Sequence, residues 1–227
     1  MIERLIVVAA PSAAGKTIFI EELRANHFQE FSTRLGVRDL REWHYVSRGS
    51  IKEAKMPKLT GLVVFECNIT GAYYRRASYH QDQPTVHVLQ QAREISFVTL
   101  WTPPARLLGQ RSKKEWRKPL RAPLSILSLQ RLIVLLFLRV LPRSLTTGAP
   151  QTKFGEWLLN RPTWQGFLRK RFRFYSHPAE IVGCYREWLH FCDHYAPQTR
   201  DHLIVEFDET LKFYSRDEWE KMVRVYL

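Results

Sequence analysis

The sequence predicts an α/β fold: a three-layer, doubly wound, parallel five-stranded sheet carrying a basic helical insert or lid. Five short apolar, β-branched runs read as strands. Four of them are continuous rather than alternating, the pattern of strands buried on both faces of a parallel sheet. Helix-patterned segments fall between the runs, which gives the strand–helix alternation of that class. With 227 residues, 45% hydrophobic and 25% charged, the chain has enough apolar material for a sizeable core. The same composition excludes a disordered or collagen-like chain.

Taken in order, the first strand runs from Arg4 to Ala9 and leads into a helix from Thr17 to Ala25. The second strand is Trp43 to Ser47 and the third Leu62 to Cys67. A helix from Thr85 to Ala92 precedes the fourth strand, Ile95 to Trp101. A long helix follows from Pro178 to Tyr195, where Ile181, Tyr185, Trp188, Leu189 and Cys192 make an apolar stripe at helical spacing. The fifth strand is His202 to Phe207. Residues 1–227 read as a single domain, with residues 102–175 as its insert.

The net charge is +13, which points to phosphate-bearing or polyanionic partners. From Thr102 to Tyr175 there are sixteen Lys and Arg against two acids, Glu115 and Glu156, so this one segment carries +14 and the rest is nearly neutral. Prolines at 103, 104, 119, 123, 142, 150 and 162 divide it into short helical pieces. Inside it, Leu132 to Leu138 is uninterrupted apolar sequence between Arg131 and Arg139. Seven residues cannot span a bilayer, which needs about 20. Two readings stay open: a core helix under a lid, or a helix lying on an anionic membrane surface. The run from Arg169 to Tyr175 interleaves cations with aromatics; without a recognised nucleic-acid module around it, an acidic or phosphorylated substrate, or anionic lipid, is favoured over nucleic acid.

Three cysteines, Cys67, Cys184 and Cys192, form neither a CxxC pair nor a disulfide framework, which favours a reducing compartment. The first residues lack a signal-peptide pattern. The expected location is cytoplasmic, with peripheral attachment at the cytosolic face of a membrane as an option. The histidines form no metal-ligand set: His190 and His194 are four apart, but not in an HExxH frame.

The most specific motif is Ala10-Pro11-Ser12-Ala13-Ala14-Gly15-Lys16-Thr17. It matches GxxxxGK[ST] except that Ala10 stands at the first glycine, where an alanine with a compatible backbone angle suffices. A strand before it and a helix beginning at Ile18 supply the required context. Backbone N–H groups from about Ala13 to Thr17 would form an anion nest at a helix N-terminus. Gly15 would permit close approach, Lys16 would reach the β- and γ-phosphates, and the Thr17 hydroxyl would ligate Mg²⁺.

On these residues the chain resembles the P-loop NTPase superfamily, in particular its compact kinases of small molecules and nucleotides. The resemblance implies ATP and Mg²⁺ as donor and metal, with Ser12, Ala13, Ala14, Gly15, Lys16, Thr17 and Ile18 around the nucleotide. It also implies a basic lid after the fourth strand, where Thr102 to Lys114 stands. No Walker B aspartate is evident, and Glu66, at the end of the third strand, is the acid placed to replace it. Glu66 then acts as base or metal organiser, or else as a strand-end carboxylate paired with a cation. Arg106 and Arg111 would stabilise charge on the transferred phosphoryl group, by analogy. Carboxyl ends of strands face the ligand crevice, so Arg48, Arg75 and Arg76 would grip an anionic acceptor, or else are solvated surface charge.

The expected activity is phosphoryl transfer to a hydroxyl of an anionic small molecule, glycan or lipid-linked acceptor. A weaker resemblance is to sulfotransferases, through Tyr185-Arg-Glu-Trp188-Leu-His-Phe and the later Glu206-Phe-Asp208-Glu209. Gly15-Lys16-Thr17 favours a triphosphate over their sulfonated adenosine nucleotide. A third option is a non-catalytic, nucleotide-binding or membrane-associated protein. A GTPase is disfavoured because no NKxD-like tetrapeptide occurs. The oligomeric state is left open.

Overall fold

The computed structural model describes residues 1–25, 27–36, 43–47, 59–70, 84–107, 110, 178–195, 199–208 and 210–227. The chain divides into two units, Met1–Trp101 with Cys184–Arg224, and Thr102–Gly183 with Val225–Leu227. The first unit holds the sheet. Its central strand is β1 (Ile2–Ala10), in which every residue from Leu5 to Ala10 is fully buried. Strand β3 (Gly61–Asn68) pairs with it in parallel on one side and β4 (Ala92–Trp101) on the other. Strand β2 (His44–Ser47) lies outside β3, and β5 (Thr199–Phe207) outside β4, both in parallel.

A sixth strand, β6 (Leu211–Tyr214), closes the β5 edge in antiparallel pairing, giving the order β2-β3-β1-β4-β5-β6. The fold is thus α/β with a mixed, mostly parallel six-stranded sheet, a correction to the five parallel strands expected. The reason is local. Asp208 N–H donates to Thr210 O at 3.2 Å, and a connection this short joins only antiparallel strands.

Helices cover both faces of the sheet. Helices α1 (Lys16–Arg24) and α2 (Gln29–Leu35) bring Phe19, Phe28 and Phe31 against Phe207 and Phe213, with ring centroids 5.3–6.3 Å apart. The opposite face carries α3 (Pro84–Gln90) and α4 (Pro178–Tyr195). The division between units falls within α4, after Gly183. Beyond it, Trp188 stacks edge-on against Phe97 and Tyr185 against Trp101, while His202 packs on Phe97. His202 and Phe207 have opposite parity along β5, so their side chains leave opposite faces, and the helices they touch do likewise.

The buried polar groups of α4 are paired. Tyr185 Oη donates to Leu100 O at 2.8 Å and Trp188 Nε1 to Thr99 Oγ1 at 3.0 Å. Helix α5 (Arg216–Val223) starts with a capping box, Ser215 Oγ accepting from Glu218 N–H while Glu218 Oε2 accepts from Ser215 N–H. Two ion pairs, Arg186–Glu220 and Arg216–Asp193, join α5 to α4.

Because β1 has β3 on one side and β4 on the other, the strand order reverses at its carboxyl end. Such a reversal opens a crevice in doubly wound sheets. Among the described residues no helix is long and apolar enough to cross a membrane. Leu132 to Leu138, and nearly all of residues 102–175, lie outside the described residues.

Candidate functional site

The carboxyl end of β1 turns into α1 through residues 11–15. Ala14 N–H donates to Pro11 O at 3.3 Å, closing the turn, and Phe19 N–H to Gly15 O at 2.9 Å opens the helical ladder. Ala13 (φ 75°) and Gly15 (φ 83°) both occupy the left-handed region. They alternate with Ala14 and Lys16, which do not. An alternation of right- and left-handed residues turns successive N–H groups toward one side and makes an anion-binding concavity.

At Gly15, the N-cap of α1, glycine has a backbone reason: its positive φ would strain any Cβ, although the space beside Phe207 would admit one. Ala13 has no such relief, and it is the one non-glycine residue with positive φ among the described residues. Ala10, by contrast, ends β1 in ordinary extended geometry, paired with Asn68. The position needs no glycine.

Lys16 is the first residue of α1, yet it is buried, with 7% of its surface exposed. A buried ammonium requires partners. Its Nζ donates to Ala10 O and Pro11 O, both at 3.1 Å, and lies 3.9 Å from Glu66 Oε1. The side chain therefore folds back over its own loop and ties the helix to the strand end. Ala10 O also accepts from Ile69 N–H at 3.3 Å, which draws the end of β3 to the same point.

Glu66 stands two residues before the end of β3, in register with Val8 of β1 and Ser47 of β2. Its two oxygens face different partners. Oε1 faces Lys16, and Oε2 accepts a hydrogen bond from Tyr45 Oη. Burial first, and then the bond to Glu66, push the Tyr45 phenol well above its ordinary range. Tyr45 is 42% exposed on the edge strand β2.

Of the residues singled out in the sequence, the structure brings together Lys16, Glu66 and the loop from Ser12 to Gly15. Ser12 and Ala13 are half-buried and Ala14 is buried; Thr17 and Ile18 are exposed in the first turn of α1. Arg106 belongs to the second unit, half-buried on a helical turn at residues 104–107. Arg48, Arg75, Arg76 and Arg111 lie outside the described residues. In the segments that resemble sulfotransferases, Tyr185 and Trp188 are fully buried, His190 and Asp208 are exposed, and Glu206 accepts from Tyr214 Oη at 2.7 Å.

Sequence reasoning missed Tyr45. The signal was present as parity: Tyr45 and Ser47 share one face of β2, and Ser47 pairs with Glu66. It also missed Asn68, whose Oδ1 accepts from Thr70 N–H at 3.1 Å and Thr70 Oγ1 at 2.9 Å and turns the chain at the end of β3. Among the described residues no group of three or more His, Cys, Asp or Glu is arranged to hold a metal ion. In comparisons with known proteins, the chain matches no family model, no curated protein and no solved structure.

Proposed function

We propose that this protein is a Mg²⁺-dependent, ATP-using phosphotransferase whose acceptor is a hydroxyl on an anionic small molecule, glycan or lipid-linked compound. The observation that carries the reading is the loop itself. A left-handed Ala13, a left-handed Gly15 and a back-folded Lys16 stand at the carboxyl end of the central parallel strand. Alanine adopts positive φ only at a cost of ~1–2 kcal/mol, and strain of this kind concentrates where a ligand is held.

The residues present fit a phosphate chain. Alternating φ at positions 13–16 makes a nest, and α1 begins at a glycine with no acid in its first turn, so the helix end offers amides and partial positive charge. Lys16 supplies the cation and the exposed Thr17 hydroxyl a metal ligand. Mg²⁺ is usually held by one or two protein oxygens together with substrate phosphates, which Thr17 and Glu66 suit better than a cage of side chains. When bound, the metal neutralises charge on the terminal phosphates. Glu66 accepts the proton of the acceptor hydroxyl, and Arg48, Arg75, Arg76, Arg106 and Arg111 serve the anionic groups of acceptor and donor. Cys67, Cys184 and Cys192 form no disulfide, which agrees with work in the cytoplasm. The +14 charge of residues 102–175 suits anionic partners, among them the acceptor and an anionic membrane.

Calorimetry with ATP and Mg²⁺ against a sulfonated adenosine nucleotide tests the reading. Preference for ATP, lost in Lys16→Ala, is expected. Preference for the sulfonated nucleotide would make the protein a sulfotransferase, and binding of neither would remove the proposal.

A further inference from the structure

One carboxylate separates an exposed phenol from the ammonium at the phosphate-binding loop. Tyr45 Oη donates to Glu66 Oε2, while Glu66 Oε1 lies 3.9 Å from Lys16 Nζ. All three groups are in the first unit and are fixed by regular structure: Tyr45 on β2, Glu66 on β3, Lys16 at the start of α1. Strand register holds the first two, since Tyr45 pairs with Val64 and Ser47 with Glu66. From this geometry we infer that Tyr45 is itself a phosphoryl acceptor: its hydroxyl takes the terminal phosphate of a nucleoside triphosphate held by Lys16 in the same molecule. The inference rests on the proposed use of ATP at the loop and adds an activity to it.

The chemistry asks for a hydroxyl, a base in contact with it and a phosphoryl group beside the base. Glu66 already holds the phenolic hydrogen bond that a general base needs. A phenol is protonated at neutral pH, so the proton has to be removed during transfer. Glu66 Oε2 takes that proton. The phenol oxygen forms a bond to the terminal phosphorus as the bond from phosphorus to the bridging oxygen breaks, and that electron pair leaves with the nucleoside diphosphate. The Lys16 ammonium stabilises charge on the phosphoryl oxygens. With 42% of its surface exposed, Tyr45 is accessible to the donor's terminal phosphate rather than sealed in the core. The product carries about −1.5 to −2 charges beside Glu66. Repulsion drives it outward, and with one hydroxyl each molecule reacts once.

The test uses the full chain, treated with phosphatase and then incubated with Mg²⁺ and ATP labelled in its terminal phosphate. ATP binding is measured separately by calorimetry. Expected is one phosphate per chain, mapped by peptide mass spectrometry to Tyr45, at a rate per molecule independent of protein concentration. Glu66→Gln should slow the labelling by on the order of 10²–10⁴, and Tyr45→Phe should take no label. ATP binding without phosphate on Tyr45 in the wild-type chain would overturn the inference while leaving the nucleotide reading intact. Label at another residue, or a rate that rises with protein concentration, would also overturn it. Absence of ATP binding would remove both.

Discussion

The Lys16 ammonium and the Glu66 carboxylate face each other at 3.9 Å, beyond hydrogen-bond range, across the carboxyl ends of β1 and β3. The attraction is Coulombic, and it is partly buried, with 7% and 20% of the two side chains exposed. Lys16 makes its hydrogen bonds instead to the carbonyls of Ala10 and Pro11. A phosphate bound as proposed would compete with Glu66 for the same cation, and each variant of the pair has a distinct signature.

Lys16→Ala removes the only cation that the described structure places in the loop, while the carbonyls of Ala10 and Pro11 keep the N–H groups of Ile69 and Ala14 and Glu66 keeps Tyr45. Loss of a hydrogen bond to a charged group costs ~1.5–3 kcal/mol, so triphosphate affinity should fall roughly 10- to 150-fold. Calorimetry with ATP checks this. Unchanged affinity would show that the loop binds no phosphate.

Glu66→Gln keeps an acceptor for Tyr45 but removes the base and the negative charge facing Lys16. ATP turnover should fall by on the order of 10²–10⁴. Nucleotide affinity should change far less, and in the tightening direction when Mg²⁺ is absent, because a competing anion has gone. Equal turnover in the variant would leave Glu66 with a purely structural role.

Ala13 is the strained point of the loop. Replacing it by glycine relieves ~1–2 kcal/mol of left-handed strain and adds ~0.4–1 kcal/mol of unfolded-chain entropy. The first effect wins, so Ala13→Gly should raise stability by about 0.5–1 kcal/mol in urea unfolding. Ala14→Gly should lower it, because Ala14 is buried at ordinary φ. Destabilisation by Ala13→Gly would mean that the methyl packs in a way that outweighs the backbone cost.

The parallel sheet was legible because burial on both faces makes central strands near-continuous apolar runs. Leu5 to Ala10 is wholly apolar, and Ile95 to Trp101 is broken only by the buried Ser96 and Thr99. Helix α4 was legible from the spacing of Tyr185, Trp188, Leu189 and Cys192. What escaped lies at the edges. Strand β6, Leu-Lys-Phe-Tyr, is no continuous apolar run, and α2 has only Phe31 and Leu35 as apolar residues. Helix α5 escaped although Ser215 and Glu218 stand at capping-box spacing. In the site, Lys16 and Glu66 were legible from motif and strand position. Tyr45 was not, because its role depends on register between β2 and β3, and a one-residue slip would send it to the other face.

The core beneath β4 predicts the pH response. Trp188 Nε1 donates to Thr99 Oγ1 at 3.0 Å, and Thr99 Oγ1 lies 2.9 Å from His202 Nε2. The indole takes one lone pair of Oγ1 and leaves the hydroxyl's own proton free to reach Nε2 of a neutral imidazole. Burial first, then the nearby Arg216, lower His202 to about 4 against an ordinary 6.5, with Asp193 opposing. Between those values the unfolded chain binds a proton that the folded chain refuses, so stability rises with pH. The contribution is complete above about pH 6.5, declines on acidification and is spent near pH 4. From pH 7 to pH 5 the loss from this one group should be about 2 kcal/mol. Urea unfolding of wild type and His202→Gln at both values isolates it, since other titrations are common to the two chains. The wild type should lose the additional stability on acidification and the variant should not. Parallel losses in both would show that His202 is protonated in the folded state, and that the hydrogen bond runs from Nε2 to Thr99.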